Sequence, residues 1–342
     1  MIKINFFTAI ALSLIINSCS GQKSKNEIKE SISSDKKLEK NKPNTSNSEN
    51  FLFYSEINNQ ISQVVRTIFQ DSKGIIWFGT QNGAFKFDGN SLIHIDSIKN
   101  ESGKGVTIKD IAEDKDGIIW FGHEGGISSI DKKVVTNYYE SDGLISNDVW
   151  CITTDKSNQV WIGTIQGVCK FDGKNFTSFE LPQGEIDSTL GISSAKMVHS
   201  IFEDSKGTLW FSSNAGLFSY ANNSLLNVSE AAGIQSNFVN EVFEDKNGEL
   251  WVSTKNGLYS LIDNKAKNIT KGKIETGKGI GSIAEDKDGN IWFVSNQHYL
   301  FIYDGNELIE YKKSDDNKGP VVFQILKDKD NETLVRWFWR CL

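Results

Sequence analysis

Proline is scarce in this chain, with three residues among 342, so its turns must rest on other residues. Cysteine is scarce too. Cys19, Cys151, Cys169 and Cys341 stand apart, with no Cys-x-x-Cys or other metal-ligand spacing, which excludes a zinc site of the usual kind. Cys151 and Cys169 are left either as a pair or as two buried free thiols. The second is expected, because an unpaired cysteine packs as a small hydrophobe. Positive charge is not in excess: 37 Lys and Arg face 44 Asp and Glu, a net charge of −7, which gives no electrostatic footprint for nucleic acid. No phosphate-binding glycine loop, His-Glu-x-x-His or nucleophile elbow is present, and nothing in the sequence calls for a cofactor or a metal.

The N-terminus reads as an export signal over residues 1–18. Lys3 is its basic region, and Phe6 to Ile16 its apolar run, too short to cross a bilayer as a helix. The run ends in "IINSC", which resembles a bacterial lipobox with Cys19 as the lipidated residue, although Asn17 stands where a small residue is usual. A plain secretory peptide cleaved nearby is the alternative. Residues 19–50 then form a tether. From Ser20 to Asn50 the chain is Ser, Asn, Lys and Glu with almost no large apolar residue, so it cannot bury enough surface to offset its ordering entropy. Either way the mature protein is expected to leave the cytoplasm, and the lipobox reading places it in the cell envelope, facing the periplasm or on the outer membrane, with the lipid as its only hold on a membrane.

From residue 51 onward the chain repeats itself. Trp77, Trp120, Trp161, Trp210, Trp251 and Trp292 are spaced by 43, 41, 49, 41 and 41 residues. An aspartate lies six residues before each (Asp71, Asp114, Asp155, Asp204, Asp245, Asp286), and an apolar residue lies 12 before each, from Val65 to Ile280. Each unit reads as four short strands. "VxxIxED" is the first, and a turn such as "DSKG" follows, where Asp bonds the amides ahead of it and Gly accepts positive φ. The second strand carries the Trp, an "NG"-type hairpin turn leads to the third, and a short fourth strand ends the unit. About 40 residues in four strands, repeated, make a β-propeller blade. The expected fold is all-β: seven blades over residues 51–342, starting near 64, 107, 148, 197, 238, 279 and 321. The tryptophans are read as packing residues between blades.

The consensus "EDSKGxLWFGTxxGLxxFDG" resembles the two-component regulator propeller repeat, and the resemblance covers Val64 to about Leu342. It implies the periplasmic sensor part of a bacterial two-component system, with a histidine kinase or another envelope signalling protein as partner. Large members carry further modules after the propeller. None follows here, so the signal is expected to pass through a separate protein. Six blades are complete and the seventh is expected to be truncated. Val322, Ile325 and Asp328 keep the spacing and Leu334 takes the Trp slot, whereas "RWFWRCL", Arg336 to Leu342, fits no blade and reads as an out-of-frame tail. The strand near residues 51–57 would close the ring as the fourth strand of blade seven.

Calling the connector face the top, the "TxxG" turns share it. Residues varied among otherwise regular units are the ligand candidates: His123, Glu124, Asn147, Asn214, Asn237, Lys255, Gln297 and His298 on the rim. Arg66, Lys109, Asp110, Trp150, His199 and Glu241 stand inside the "VxxI" strand. Amides, charges and an aromatic suit a polar small molecule or glycan. The "DKDG" turns at Asp114–Gly117 and Asp286–Gly289 are read as plain Asp-Gly turns, because a calcium loop needs more oxygen ligands. The function expected is therefore non-enzymatic: an extracytoplasmic propeller sensing a polar ligand such as a saccharide. The alternatives are a propeller-based lyase or hydrolase built on His123, Glu124, His199 and His298, and a scaffold that binds only proteins.

Overall fold

The computed structural model describes residues 10–11, 64–186, 194–274, 277, 279–295, 299–312, 321–327 and 333–338. Six antiparallel four-stranded sheets follow one another, each built from a single repeat. Blade four is representative: Val198–Glu203, Leu209–Ser213, Gly216–Ala221 and Ser224–Asn227 pair in sequence order. Val321–Lys327 and Thr333–Phe338 open a seventh sheet. The first strand of each blade touches the first strand of the next, and that of blade seven also reaches blade one, so seven inner strands close a ring around a central channel.

In blade seven Leu334 pairs with Leu326 as Trp210 pairs with Phe202, so Leu334 does occupy the Trp register. The strand continues through Arg336 to Phe338, with one residue of the facing strand, Phe323, skipped between the pairs Gln324–Arg336 and Val322–Trp337. Its other side carries Ile10–Ala11, a two-residue parallel bridge from within the stretch read as a leader. Residues 12–63, which hold Cys19, the tether and the expected closing strand, lie outside the described residues.

The fixed Asp–Trp spacing has one cause. In all six blades the aspartate's Oδ2 accepts the indole Nε1–H, at 2.8–3.0 Å. Its Oδ1 accepts two backbone N–H groups of its own turn, as Asp204 does from Lys206 and Thr208. The indole body then packs on the following blade. Trp77 lies with Ile108, Ile111, Ile119 and Phe121, and Trp161 with Val198, Ile201, Leu209, Phe211 and Phe218. Among the described residues the clusters that hold these tryptophans bridge neighbouring blades, as the packing reading of the tryptophans expects, while Phe78, Phe85 and Phe87 cluster within blade one. Cys151 and Cys169 are free, buried and in different clusters.

The glutamate of the "ED" pair has a separate task. Glu113 accepts the backbone N–H and the hydroxyl of Ser72 in the preceding blade's turn, both at 2.6 Å. Glu244 does the same to Ser205, Glu203 holds Lys156 N–H, and Glu285 holds Lys246 N–H. Blade three has Thr154 in place of the glutamate, and there Asn158 Oδ1 takes Lys115 N–H instead, at 2.8 Å. Close approach also restricts the second strand: a Cβ on Gly79 would lie 2.8 Å from the Ile108 side chain of the next blade.

Two substitutions separate the tie from the clasp. Asp204→Ala leaves a buried indole N–H and two turn amides without their acceptor and should lower unfolding stability by about 3 kcal/mol. Glu244→Gln alters an exposed clasp and should cost under about 1 kcal/mol. Denaturant midpoints of the two variants measure the difference; equal losses would refute the assignment of the tie as the stronger restraint.

Candidate functional site

The inner strands carry a second regularity. In blades one to five the pairing of first to second strand skips one residue: Arg66, Lys109, Trp150, His199 and Asn240. These are β-bulges, which re-aim a side chain while the flanking pairs stay in register. Each is the second residue of its strand, at the end nearest the connectors. The third residue turns to the neighbouring inner strand. Asp110 accepts from Ile152 N–H at 3.0 Å and from Ile111 N–H at 2.9 Å. Glu241 accepts from Ile283 N–H at 3.3 Å. Ser282 exchanges bonds with the backbone of Ile325.

Around the mouth the bulged residues form an arc. Arg66 is exposed. Lys109 forms an ion pair with Asp148, and its Nζ sits 4.0 Å from the centroid of the Trp150 ring. Burial lowers the Lys109 pKa and the neighbouring Arg66 charge adds to this, while Asp148 and Glu124 act against it. The Trp150 Nε1–H is buried and has no hydrogen-bond partner among the described residues. The His199 ring lies 4.5 Å from that of Phe238, and its Nε2 is 2.6 Å from Asn214 Oδ1. Burial lowers the His199 pKa, only partly offset by Asn214, so the imidazole is neutral at pH 7.

Not every rim candidate reaches that mouth. His123 is fully buried. It takes the place where Thr80, Thr164, Ser213 and Thr254 lock their turns through a hydroxyl. Its Nδ1 accepts from Gly125 N–H and its Nε2 meets the Ser128 hydroxyl at 2.9 Å. Burial, with the Lys109 charge second, pushes its pKa down to about 3. His123 is a turn lock rather than a rim ligand group. Asn214, 2% exposed, likewise faces inward, and its Nδ2 donates to Ser194 O. Asn147 exchanges bonds with Glu140 and orders its own connector. Glu124 and Asn237 are exposed, and Lys255 is half-buried. Gln297 and His298 lie outside the described residues. His123 and His199 are therefore not brought together, since each is committed within its own blade.

Sequence reasoning missed Asp148 and Phe238. They share the column just before the inner strand, which holds Val64, Thr107, Asp148, Met197, Phe238 and Gly279. Its variability beside an invariant apolar position was a usable signal. No group of three or more His, Cys, Asp or Glu among the described residues could hold a metal ion. A separate cleft of about 410 Å³ opens between blades three and four, lined in part by Ile145, Gln166, Phe179, Leu181 and Lys196.

The sequence signature of the two component regulator propeller matches six segments: residues 59–82, 102–125, 143–166, 191–215, 233–256 and 275–297. The chain belongs to this family. It is similar in fold to the extracellular domain of BT3049 from B. thetaiotaomicron, described as a hybrid two component system, with 22% identity and a TM-score of 0.63. The match covers 82% of this chain and 39% of that one. The extracellular domain of BT4673 from the same organism, described as a one component system, matches at 18% identity and a TM-score of 0.60 over 81% of this chain and 37% of that one. The chain thus spans well under half the length of these sensor domains. A virginiamycin B lyase from Staphylococcus aureus shares the fold at 12% identity and a TM-score of 0.62, over 82% of this chain and 97% of the lyase. No curated protein matches the sequence.

The channel carboxyls make a pH-dependent prediction. Burial raises Glu241 from 4.5 to about 8 and Asp110 from 3.8 to about 6. A carboxyl raised in the fold contributes stability that is complete below its unfolded value and is lost as pH rises through its folded value. Glu241→Gln keeps an acceptor for Ile283 and cannot ionise. Its melting temperature should gain on that of the parent protein as pH rises from about 5 to about 9. Parallel pH profiles would disprove the shift.

Proposed function

We propose that this propeller is an extracytoplasmic sensing module that takes a polar ligand such as a saccharide at the top of its channel and signals through a separate envelope protein. One observation carries the reading. A bulge repeated in blade after blade re-aims the same position to the mouth, yet that position is Arg66, Lys109, Trp150, His199 and Asn240 in turn. A constant frame that presents five different polar or aromatic groups is suited to recognition and not to packing. Family membership supports the sensing role. Aromatic Trp150, with charges and amides around it, matches the faces and hydroxyls of a sugar.

Binding without turnover is the better reading, because the acid–base set expected of an enzyme would need His123, whose two ring nitrogens serve its own blade. The lyase likeness rests on 12% identity and speaks to the fold. A pure protein scaffold is less favoured. Large exposed apolar side chains such as Ile93, Val134, Leu226 and Ile309 are dispersed over the outer strands of different blades, and single exposed residues of this kind are ordinary. The lipid on Cys19 would hold the module to the membrane, and Cys19→Ser should release it into the soluble fraction.

A saccharide screen by thermal shift tests the reading, since a ligand that binds only the folded protein raises its melting temperature. Trp150→Ala should remove the shift given by any saccharide found, whereas Asn147→Ala, in the connector, should keep it. A shift that survives Trp150→Ala would place the ligand elsewhere.

A further inference from the structure

The charges at the mouth are unevenly used. Two cations stand on neighbouring bulges, Lys109 in blade two and Arg66 in blade one, close enough that the charge of Arg66 lowers the Lys109 pKa. Both nearby carboxylates are engaged. Asp148 is ion-paired to Lys109, and Glu124 Oε1 accepts Thr107 N–H at 3.2 Å. Arg66 is exposed and forms no ion pair with any described residue. Its guanidinium therefore offers a fork of donors at the mouth, on a residue whose bulge turns it out of the strand pairing. The other side of the arc carries no opposing cation from His199, which burial keeps neutral against Phe238. Trp150 lies between the two sides, with its indole N–H unpartnered among the described residues.

Given this arrangement, and resting on the saccharide reading above, we propose that the ligand is an acidic sugar whose carboxylate is received by Arg66 while its ring lies toward Trp150. A carboxylate at that point relieves the repulsion between Arg66 and Lys109. It also gains a bidentate, charge-assisted pair, which a neutral hydroxyl cannot make. The geometry of the fork favours Arg over Lys at position 66, because an ammonium offers a point charge and no matching pair of parallel donors.

The test compares uronic-acid oligosaccharides with their neutral counterparts of the same linkage, at constant ionic strength, by calorimetry on the parent protein, Arg66→Gln, Arg66→Lys and Trp150→Ala. The expected result is a preference of about tenfold or more for the acidic member. Arg66→Gln should abolish that preference by weakening the acidic member at least tenfold more than the neutral one, Arg66→Lys should restore only part of it, and added salt should weaken it. If acidic and neutral sugars bind alike and both are lost in Trp150→Ala, the anion role of Arg66 is overturned and the saccharide site stands. If the preference persists in Arg66→Gln, Arg66 is again excluded. If neither class binds the parent protein, the saccharide reading itself fails, and the proposal with it.

Discussion

One carboxylate per blade sets the geometry of this propeller. The turn aspartate is shared between its own backbone and the indole of its own tryptophan, so the ring cannot rotate without breaking the turn. The indole then projects into the next blade, where Trp120, for example, meets Val149, Ile152, Val160 and Phe171. A local restraint, formed within six residues of sequence, thereby fixes the angle between two sheets some 40 residues apart. The hydrogen bonds alone would be modest in net terms. Their value lies in directing a large apolar body into the blade interface.

The outer ends of the turns add a second restraint of different character. Glu113, Glu203, Glu244 and Glu285 reach back to the preceding turn, and Lys156 reaches forward to the carbonyls of Asp204 and Ser205 at 2.8 and 2.7 Å. Apart from that of Glu285, which is buried, these contacts are solvated and individually weak. They lie on the face opposite the connectors, so the frame is braced from below and the mouth above is free to vary. The bulges exploit this freedom, because removing one residue from the ladder leaves the pairs on either side intact.

The fold was legible because its restraints repeat. The interval between Asp and Trp, the apolar residue 12 before the Trp, and the Leu334 register could be counted directly. The "ED" glutamates were less regular, since Gln70 and Thr154 stand in two of the six slots, and their partners lie about 40 residues away, so counting did not disclose the clasp. The site was less legible, for a specific reason. His123 and Asn214 were read as rim residues because they are polar, varied and beside a turn. In such turns a polar side chain often faces inward, where Thr80 accepts Asn82 N–H and donates to Gly83 O. An imidazole Nδ1 can accept the equivalent Gly125 N–H, so the substitution preserves the lock while changing the residue type. Variation in sequence therefore marked a constant bond at His123 and a changing surface at Trp150. Only the register of the inner strand separates the two cases.

The channel wall shows how far burial and hydrogen bonding can divide two similar carboxyls. Asp110 and Glu241 hold the same third position of their strands, and burial raises both. Asp110 accepts two backbone N–H groups, which favour its charged form and limit the rise to about 6. Glu241 accepts one, longer bond and also feels the charge of Asp110, so it rises to about 8. At neutral pH Asp110 is mostly ionised and Glu241 mostly protonated. The wall then holds one negative charge where the sequence suggests two. The cost of a second buried charge is avoided by protonation, while the bond from Ile283 to the carboxyl still links the inner strands of blades five and six.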